Sequence, residues 1–158
     1  TMGFFFETLA VRDLRVYAEA HNGKVYHYRD KKELECDAVI HLRDGRYGLI
    51  EIKLGGESLI EDGAKTLNQL ESQIDTTRMK TPAFKMVLTA TGKYAYRRKE
   101  DGVYVVPIGC LRNAIVTSKT LTLCHKMNEG VLQFIPVACY AYLVGKNTIN
   151  KTKTQYGF

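Results

Sequence analysis

The sequence predicts an α+β domain, a mixed sheet flanked by helices in the order α-β-β-β-α-β-β-β. Apolar residues recur at helical spacing over 4–20 and again over 58–74, whereas alternating or short apolar runs typical of strands occupy the other segments up to residue 106. Hydrophobic residues make up 45% of the 158 residues and charged residues 25%. This composition is that of an ordinary globular protein rather than a disordered or fibrous one.

The first helix is expected over 4–20. Its inward stripe consists of Glu7, Val11, Leu14 and Ala18. Arg12 and Arg15 fall on the opposite, solvent-facing side. A carboxylate on an apolar stripe is costly unless it has a partner, so Glu7 is a candidate functional residue.

Three strands are expected after this helix, at 24–29, 33–42 and 46–54. The last two carry their apolar residues at even positions, so both are expected to turn even residues toward the core. This parity excludes a two-residue turn and predicts a three-residue loop ending at Gly45 in the left-handed conformation. In that register Asp37 lies directly opposite Glu51.

A capping box formed by Ser58 and Glu61 is expected to start the second helix. Its buried stripe consists of Ile60, Ala64, Leu67, Leu70 and Ile74. Three further strands are expected at 84–89, 93–98 and 103–106. The domain is therefore expected to span residues 1–110, and residues 111–158, which show no clear periodic element, are expected to form a C-terminal extension.

The net charge of +6 is unevenly distributed. Residues 1–110 carry 17 Lys/Arg and 16 Asp/Glu, whereas residues 111–158 carry six and one. The overall basicity is therefore no evidence that the main body binds nucleic acid.

The sequence gives no indication of a membrane protein, because no run approaches the ~18–20 apolar residues of a spanning helix. Residues 1–6 lack the basic region of a signal peptide. The four cysteines show no CxxC pairing, which disfavours a zinc knuckle or a disulfide framework. We therefore expect a cytoplasmic protein with reduced thiols.

Four residues carry the candidate chemistry: Glu7, Asp37, Glu51 and Lys53. The hairpin register and the i, i+2 spacing are expected to bring them together between the sheet and the first helix. Hard oxygen ligands at this density suit Mg²⁺ or Mn²⁺, and a lysine beside the ion can offset charge on a phosphate. A surface Glu–Lys pair with a solvated aspartate is the structural alternative.

This arrangement resembles the PD-(D/E)XK nuclease superfamily. More closely, residues 3–110 are similar to the C-terminal domain of unknown function found on a family of prokaryotic AAA-type ATPases. The segments that carry the resemblance are Gly3-Phe4-Phe5-Phe6-Glu7, Val11-Arg12-Asp13-Leu14, Tyr26-His27-Tyr28-Arg29-Asp30, Leu34-Glu35-Cys36-Asp37-Ala38-Val39-Ile40, Ile50-Glu51-Ile52-Lys53-Leu54-Gly55 and residues 101–110.

The resemblance implies a restriction-endonuclease-like fold that hydrolyses DNA phosphodiesters. It implies that Asp37 and Glu51 bind the metal, that Lys53 is the catalytic lysine and that Glu7 assists. Two departures stand out: Cys36 occupies the position where the superfamily often has proline, and no Gly-x-x-x-x-Gly-Lys-Ser/Thr loop occurs in the sequence. The chain is therefore expected to correspond to the C-terminal part of such an ATPase.

Weaker candidates for DNA contact are Arg97 and Arg98, at a basic turn, and Gln69 on the second helix. The alternative interpretation, which is favoured for all three, is a solvated surface residue. His27 is isolated on its strand and is interpreted as structural or exposed. The alternative function is a non-catalytic DNA-docking or protein-interaction domain. Its partner would be an AAA-type ATPase module or a second copy of the chain.

Overall fold

A computed structural model of the protein describes residues 2–111. Its elements in chain order are α1 (Met2–Ala20), β1 (Gly23–Arg29), β2 (Glu35–Leu42), β3 (Tyr47–Lys53), α2 (Glu57–Gln73), β4 (Phe84–Thr89), β5 (Tyr96–Arg97), β6 (Tyr104–Pro107) and a short 3-10 helix (Ile108–Leu111). The predicted order of two helices and six strands is confirmed. The predicted extension lies outside the described residues, apart from Leu111.

The six strands form one mixed sheet in the order β1-β2-β3-β4-β6-β5. β3 pairs in parallel with β4, and β4 with β6, while the other neighbours are antiparallel. A parallel pair needs a long crossover connection, and α2 supplies it between β3 and β4. The α+β class and the mixed sheet are therefore confirmed.

The predicted register of the β2–β3 hairpin is confirmed. The Leu42 N–H donates to the Arg46 carbonyl at 2.8 Å, and Gly45 has a φ of 84°, a left-handed conformation that glycine adopts without steric cost. The ladder then runs from the His41–Tyr47 pair to the Ala38–Ile50 pair. The pair that comes next in this register is Asp37 with Glu51.

The expectation of a single core face was too simple, because the centre of the sheet is buried on both sides. The even residues of β2 and β3 pack with α1 in one apolar cluster: Ala38, Ile40, Leu42, Ile50 and Ile52. The odd residues Tyr47 and Leu49 pack with α2 in a second cluster. Central strands with parallel neighbours are commonly covered on both faces. Residues 47–52 are consequently all buried.

The predicted capping box at the start of α2 was wrong. The helix begins two residues earlier, at Glu57 after Gly56, and no side chain caps it. Gly55 and Gly56 both have positive φ angles, of 128° and 91°, so this glycine pair sets the direction of the chain where β3 ends. Ser58 therefore lies inside the first turn instead of before it.

The predicted strand at 93–98 was too long, since β5 comprises only Tyr96–Arg97. Neither helix between residues 2 and 111 combines the length and the apolar character needed to cross a bilayer.

Replacing Gly48 with alanine should destabilise the domain, because the added Cβ would collide with the Phe84 ring on β4. Overpacking of a core typically costs about 1–3 kcal/mol. The matched control is Gly3→Ala, where an added Cβ meets no atom within 4 Å. Thermal unfolding measured by circular dichroism should give a lower Tm for Gly48→Ala only. Equal Tm values for the two variants would contradict this packing.

Candidate active site

The candidate site lies where β2 and β3 part. Beyond the Ala38–Ile50 pair, the side chain of Asp37 replaces the backbone as hydrogen-bond partner: its Oδ2 accepts the Ile52 N–H at 2.7 Å. This bond satisfies a buried backbone donor and fixes one carboxylate oxygen of Asp37.

A bulge in β2, on the side that pairs with β1, lies at the same place. Tyr26 of β1 pairs with Val39, and Tyr28 pairs with Cys36. Between these two pairs β1 advances by two residues and β2 by three, so β2 contains one extra residue. Such an extra residue changes the direction in which the neighbouring side chains point.

The buried Cys36 thiol packs on the α2 side and donates to the carbonyls of Ala38 and Ile50, each at 3.4 Å. Burial raises the pKa of Cys36 to about 12, so this thiol is a structural group.

Lys53 joins the two strand carboxylates. Its Nζ lies 2.7 Å from Glu51 Oε2 and 3.9 Å from Asp37 Oδ2. The side chains of Asp37 and Lys53 remain 14% and 27% exposed, whereas Glu51 is 3% exposed. The predicted meeting of Asp37, Glu51 and Lys53 is therefore what the fold produces.

The second helix, rather than the first, covers Glu51 and Lys53. A Cβ added at Gly63 of α2 would lie 3.4 Å from Glu51 Cβ and 3.5 Å from Lys53 Cε. The missing side chain of Gly63 thus lets α2 approach β3 at this point. The expectation that these side chains lie between the sheet and the first helix was wrong, because odd positions of β3 face α2.

Glu7 reaches the same cluster from α1. Partial burial raises the pKa of its carboxyl, and the charges of Asp37 and Glu35 add to this rise, while His27 and Lys53 oppose it. Glu7 and Asp37 line the same cleft beside α1.

Burial and like charge dominate the electrostatics of the strand residues. Burial raises the pKa of Glu51, and the neighbouring charge of Asp37 raises it further, against the opposing effect of Lys53. Burial alone would lower the pKa of Lys53, but its hydrogen bond to Glu51 and the surrounding carboxylates outweigh burial and raise it. The lysine is therefore held in its charged form.

These residues fit a divalent cation. Three carboxylates stand against one ammonium group, so the cluster carries an excess of negative charge and offers only hard oxygen donors. Residues 2–111 contain no group of three or more His, Cys, Asp or Glu side chains arranged to hold a metal ion. Asp37 and Glu51, which both lie beside Lys53 Nζ, are the two carboxylates that would hold a cation here. Mg²⁺ characteristically uses that number together with water and phosphate oxygens.

The weaker sequence candidates lie apart from this cluster. Arg98 Nε is 3.2 Å from Asp101 Oδ2, and Arg97 donates to the Gly102 carbonyl at 3.1 Å, so both arginines brace their own turn. Gln69 is exposed on α2. Within the described chain none of the three forms an ion pair or hydrogen bond with Asp37, Glu51 or Lys53.

An open cleft of about 580 Å³ adjoins the cluster along α1. Its lining consists of Phe5, Glu7, Thr8, Leu9, Val11, Arg12, Arg15, His27 and Asp37. The sequence predicted that Arg12 and Arg15 face solvent and that His27 is structural or exposed. The spacing of Phe5, Thr8, Arg12 and Arg15 by three, four and three residues was the available signal, because such residues form one stripe on a helix.

Residues 2–111 match the protein family described as "Domain of unknown function (DUF4143)". The chain belongs to this family. Comparison of the chain with curated proteins and with solved structures gave no match. The matched range coincides with the residues that the structure describes, so the DUF4143 domain includes the whole sheet, both helices and the acidic cluster.

Removing the charge of Lys53 should make the stability of the DUF4143 domain more dependent on pH. In Lys53→Met, the buried Glu51 loses the one cation that lies close to it among residues 2–111, so its folded-state pKa rises further above the ordinary 4.5. The folded state then retains a proton that the unfolded state has lost, and stability falls as the pH rises above that ordinary value. The loss of Tm relative to wild type should be larger at pH 8 than at pH 5.

The matched control is Lys65→Met, which removes an exposed lysine 3.4 Å from Glu61. Exposed pairs of this kind contribute little, so its Tm should follow wild type at both pH values. A Lys53→Met deficit that is the same at pH 5 and pH 8 would contradict the buried pairing with Glu51.

Proposed function

We propose that this DUF4143 domain is a metal-dependent nuclease-like domain with a restriction-endonuclease-like core, which hydrolyses DNA phosphodiesters. The observation that carries the proposal is the meeting of Asp37, Glu51 and Lys53 where two antiparallel strands part, with separations of 2.7 and 3.9 Å from the lysine nitrogen. Glu7 on the first helix supports it. The order of helices and strands is the one that the superfamily resemblance implies.

Asp37 and Glu51 are the residues that would hold Mg²⁺ or Mn²⁺. Such an ion, when bound, polarises a phosphate and lowers the pKa of a coordinated water. The hydrogen bond from the Ile52 N–H holds one oxygen of Asp37 in place, and the packing of α2 holds Glu51. Both ligands are therefore positioned before an ion arrives, which reduces the cost of ordering them.

Lys53 acts as a fixed positive charge in this proposal. Because its surroundings raise its pKa, the ammonium group stays protonated and is unsuited to accept a proton. It can donate hydrogen bonds to a phosphate oxygen and offset the negative charge that develops during hydrolysis. The raised pKa of Glu7 makes its carboxylate a stronger base than that of an ordinary glutamate. In this proposal Glu7 assists from α1.

Cleavage of DNA tests the proposal directly. The full chain should cut a fluorescently labelled DNA in the presence of Mg²⁺ or Mn²⁺ and not in EDTA. Asp37→Asn, Glu51→Gln and Lys53→Met should each lower the rate by about 10²–10³-fold, the usual cost of losing one electrostatic contributor. The exposed-residue variant Glu61→Gln should retain the wild-type rate. Cleavage that persists in all three site variants would assign it to another source.

Metal binding provides an independent test. Isothermal titration of Mn²⁺ into the full chain should show one site that Asp37→Asn abolishes and Glu61→Gln preserves. Affinity should increase with pH, since Glu51 must lose its proton to bind and burial raises its pKa. Identical heats for wild type and Asp37→Asn would contradict the assignment of the ligands.

A second candidate is a non-catalytic DNA-docking or protein-interaction domain that accompanies an AAA-type ATPase module. One observation favours it: Lys53 already lies 2.7 Å from Glu51, so the lysine itself neutralises a carboxylate that an ion would otherwise need. In that case Mn²⁺ would bind neither wild type nor variants, and DNA would remain uncut.

A further inference from the structure

The cleft along α1 combines two kinds of side chain that the proposed hydrolysis does not use. Arg12 and Arg15 line it, and so does Phe5. These residues share a stripe with Thr8, since their spacing follows the helical repeat. Asp37 and His27, from the sheet, also line it, so the cleft reaches the acidic cluster at Asp37.

The two arginines are available for an anion. Arg12 is bonded to the adjacent Asp13 at 2.8 Å, and its side chain is 71% exposed; an exposed pair of this kind is worth little and is readily exchanged. Arg15 forms no ion pair with any of the residues 2–111. Arg15 comes eight positions after Glu7, which places the arginine about 12 Å along the helix from Glu7.

The exposed Phe5 ring favours single-stranded over double-stranded nucleic acid as the ligand of this cleft. Phe5 is 69% exposed, and its ring meets that of Phe4 edge to face with centroids 6.3 Å apart. Proteins that bind single strands combine a positive groove with aromatic rings on which unpaired bases stack. Duplex DNA offers no free base face to such a ring, because its bases are already stacked and only their edges are accessible in the grooves.

We propose that the α1 cleft binds single-stranded DNA, with phosphates at Arg12 and Arg15 and an unpaired base against Phe5. The strand then passes Glu7 and reaches Asp37. This inference rests on the proposed function and names its substrate class: a single strand, or a single-stranded end, rather than a continuous duplex.

Fluorescence anisotropy in EDTA tests binding without cleavage. A labelled single-stranded oligonucleotide should bind the full chain more tightly than a blunt duplex of the same sequence. Phe5→Ala should weaken single-strand binding roughly 5- to 150-fold, the range for loss of one stacked base. Arg15→Ala should lower the slope of log affinity against log salt by about 0.7, the value for one phosphate contact on a single strand.

Matched controls are Val16→Ala, an exposed apolar residue of α1 outside the cleft, and Arg43→Ala, an exposed arginine of the β2–β3 turn. Both should bind as wild type.

Preference for the duplex, tighter binding to RNA of the same sequence, or equal losses of affinity in controls and cleft variants would overturn the inference. Binding that meets these expectations without metal-dependent cleavage would refute the hydrolase proposal alone. Cleavage with unaltered binding in Phe5→Ala and Arg15→Ala would refute the cleft alone.

Discussion

The hydrogen bond between the Asp37 carboxylate and the Ile52 N–H is the contact on which the candidate site depends. It ends the regular pairing of β2 and β3 by putting a side chain where a backbone carbonyl would otherwise accept. The strands can part only because this donor remains satisfied, since an unpaired buried N–H is costly. The parting in turn leaves space for Lys53 to approach two carboxylates from neighbouring strands.

Burial gives the cluster its chemical character. A sheet covered on one face would leave the odd residues of β3 in water, and a Glu–Lys pair there would be an ordinary surface pair. Because α2 covers that face and Gly63 lets it come close, Glu51 loses nearly all contact with solvent. The same packing that stabilises the centre of the sheet therefore also raises the pKa of Glu51.

The local patterns of the sequence were sufficient for most of the fold. Helical stripes located both helices, and the parity of two apolar strands determined the hairpin loop and its register. Burial on both faces was not predictable, because Glu51 and Lys53 read as polar positions and only the close approach at Gly63 buries them. The bulge next to Asp37 could not be predicted either. It depends on how β2 pairs with β1, and the alternation of apolar residues does not determine that register.

The burial of Leu111 shows that the folded domain extends at least to this residue. Leu111 is 2% exposed and belongs to the apolar cluster that packs against α1. The sequence pattern had predicted that the domain ends one residue earlier, at residue 110. Anyone who transplants this domain into a fusion protein should therefore carry the short 3-10 helix along with the last strand. Excision immediately after Cys110 would remove a fully buried side chain from the apolar cluster that also contains Ala10 and Leu14 of the helix that carries Glu7.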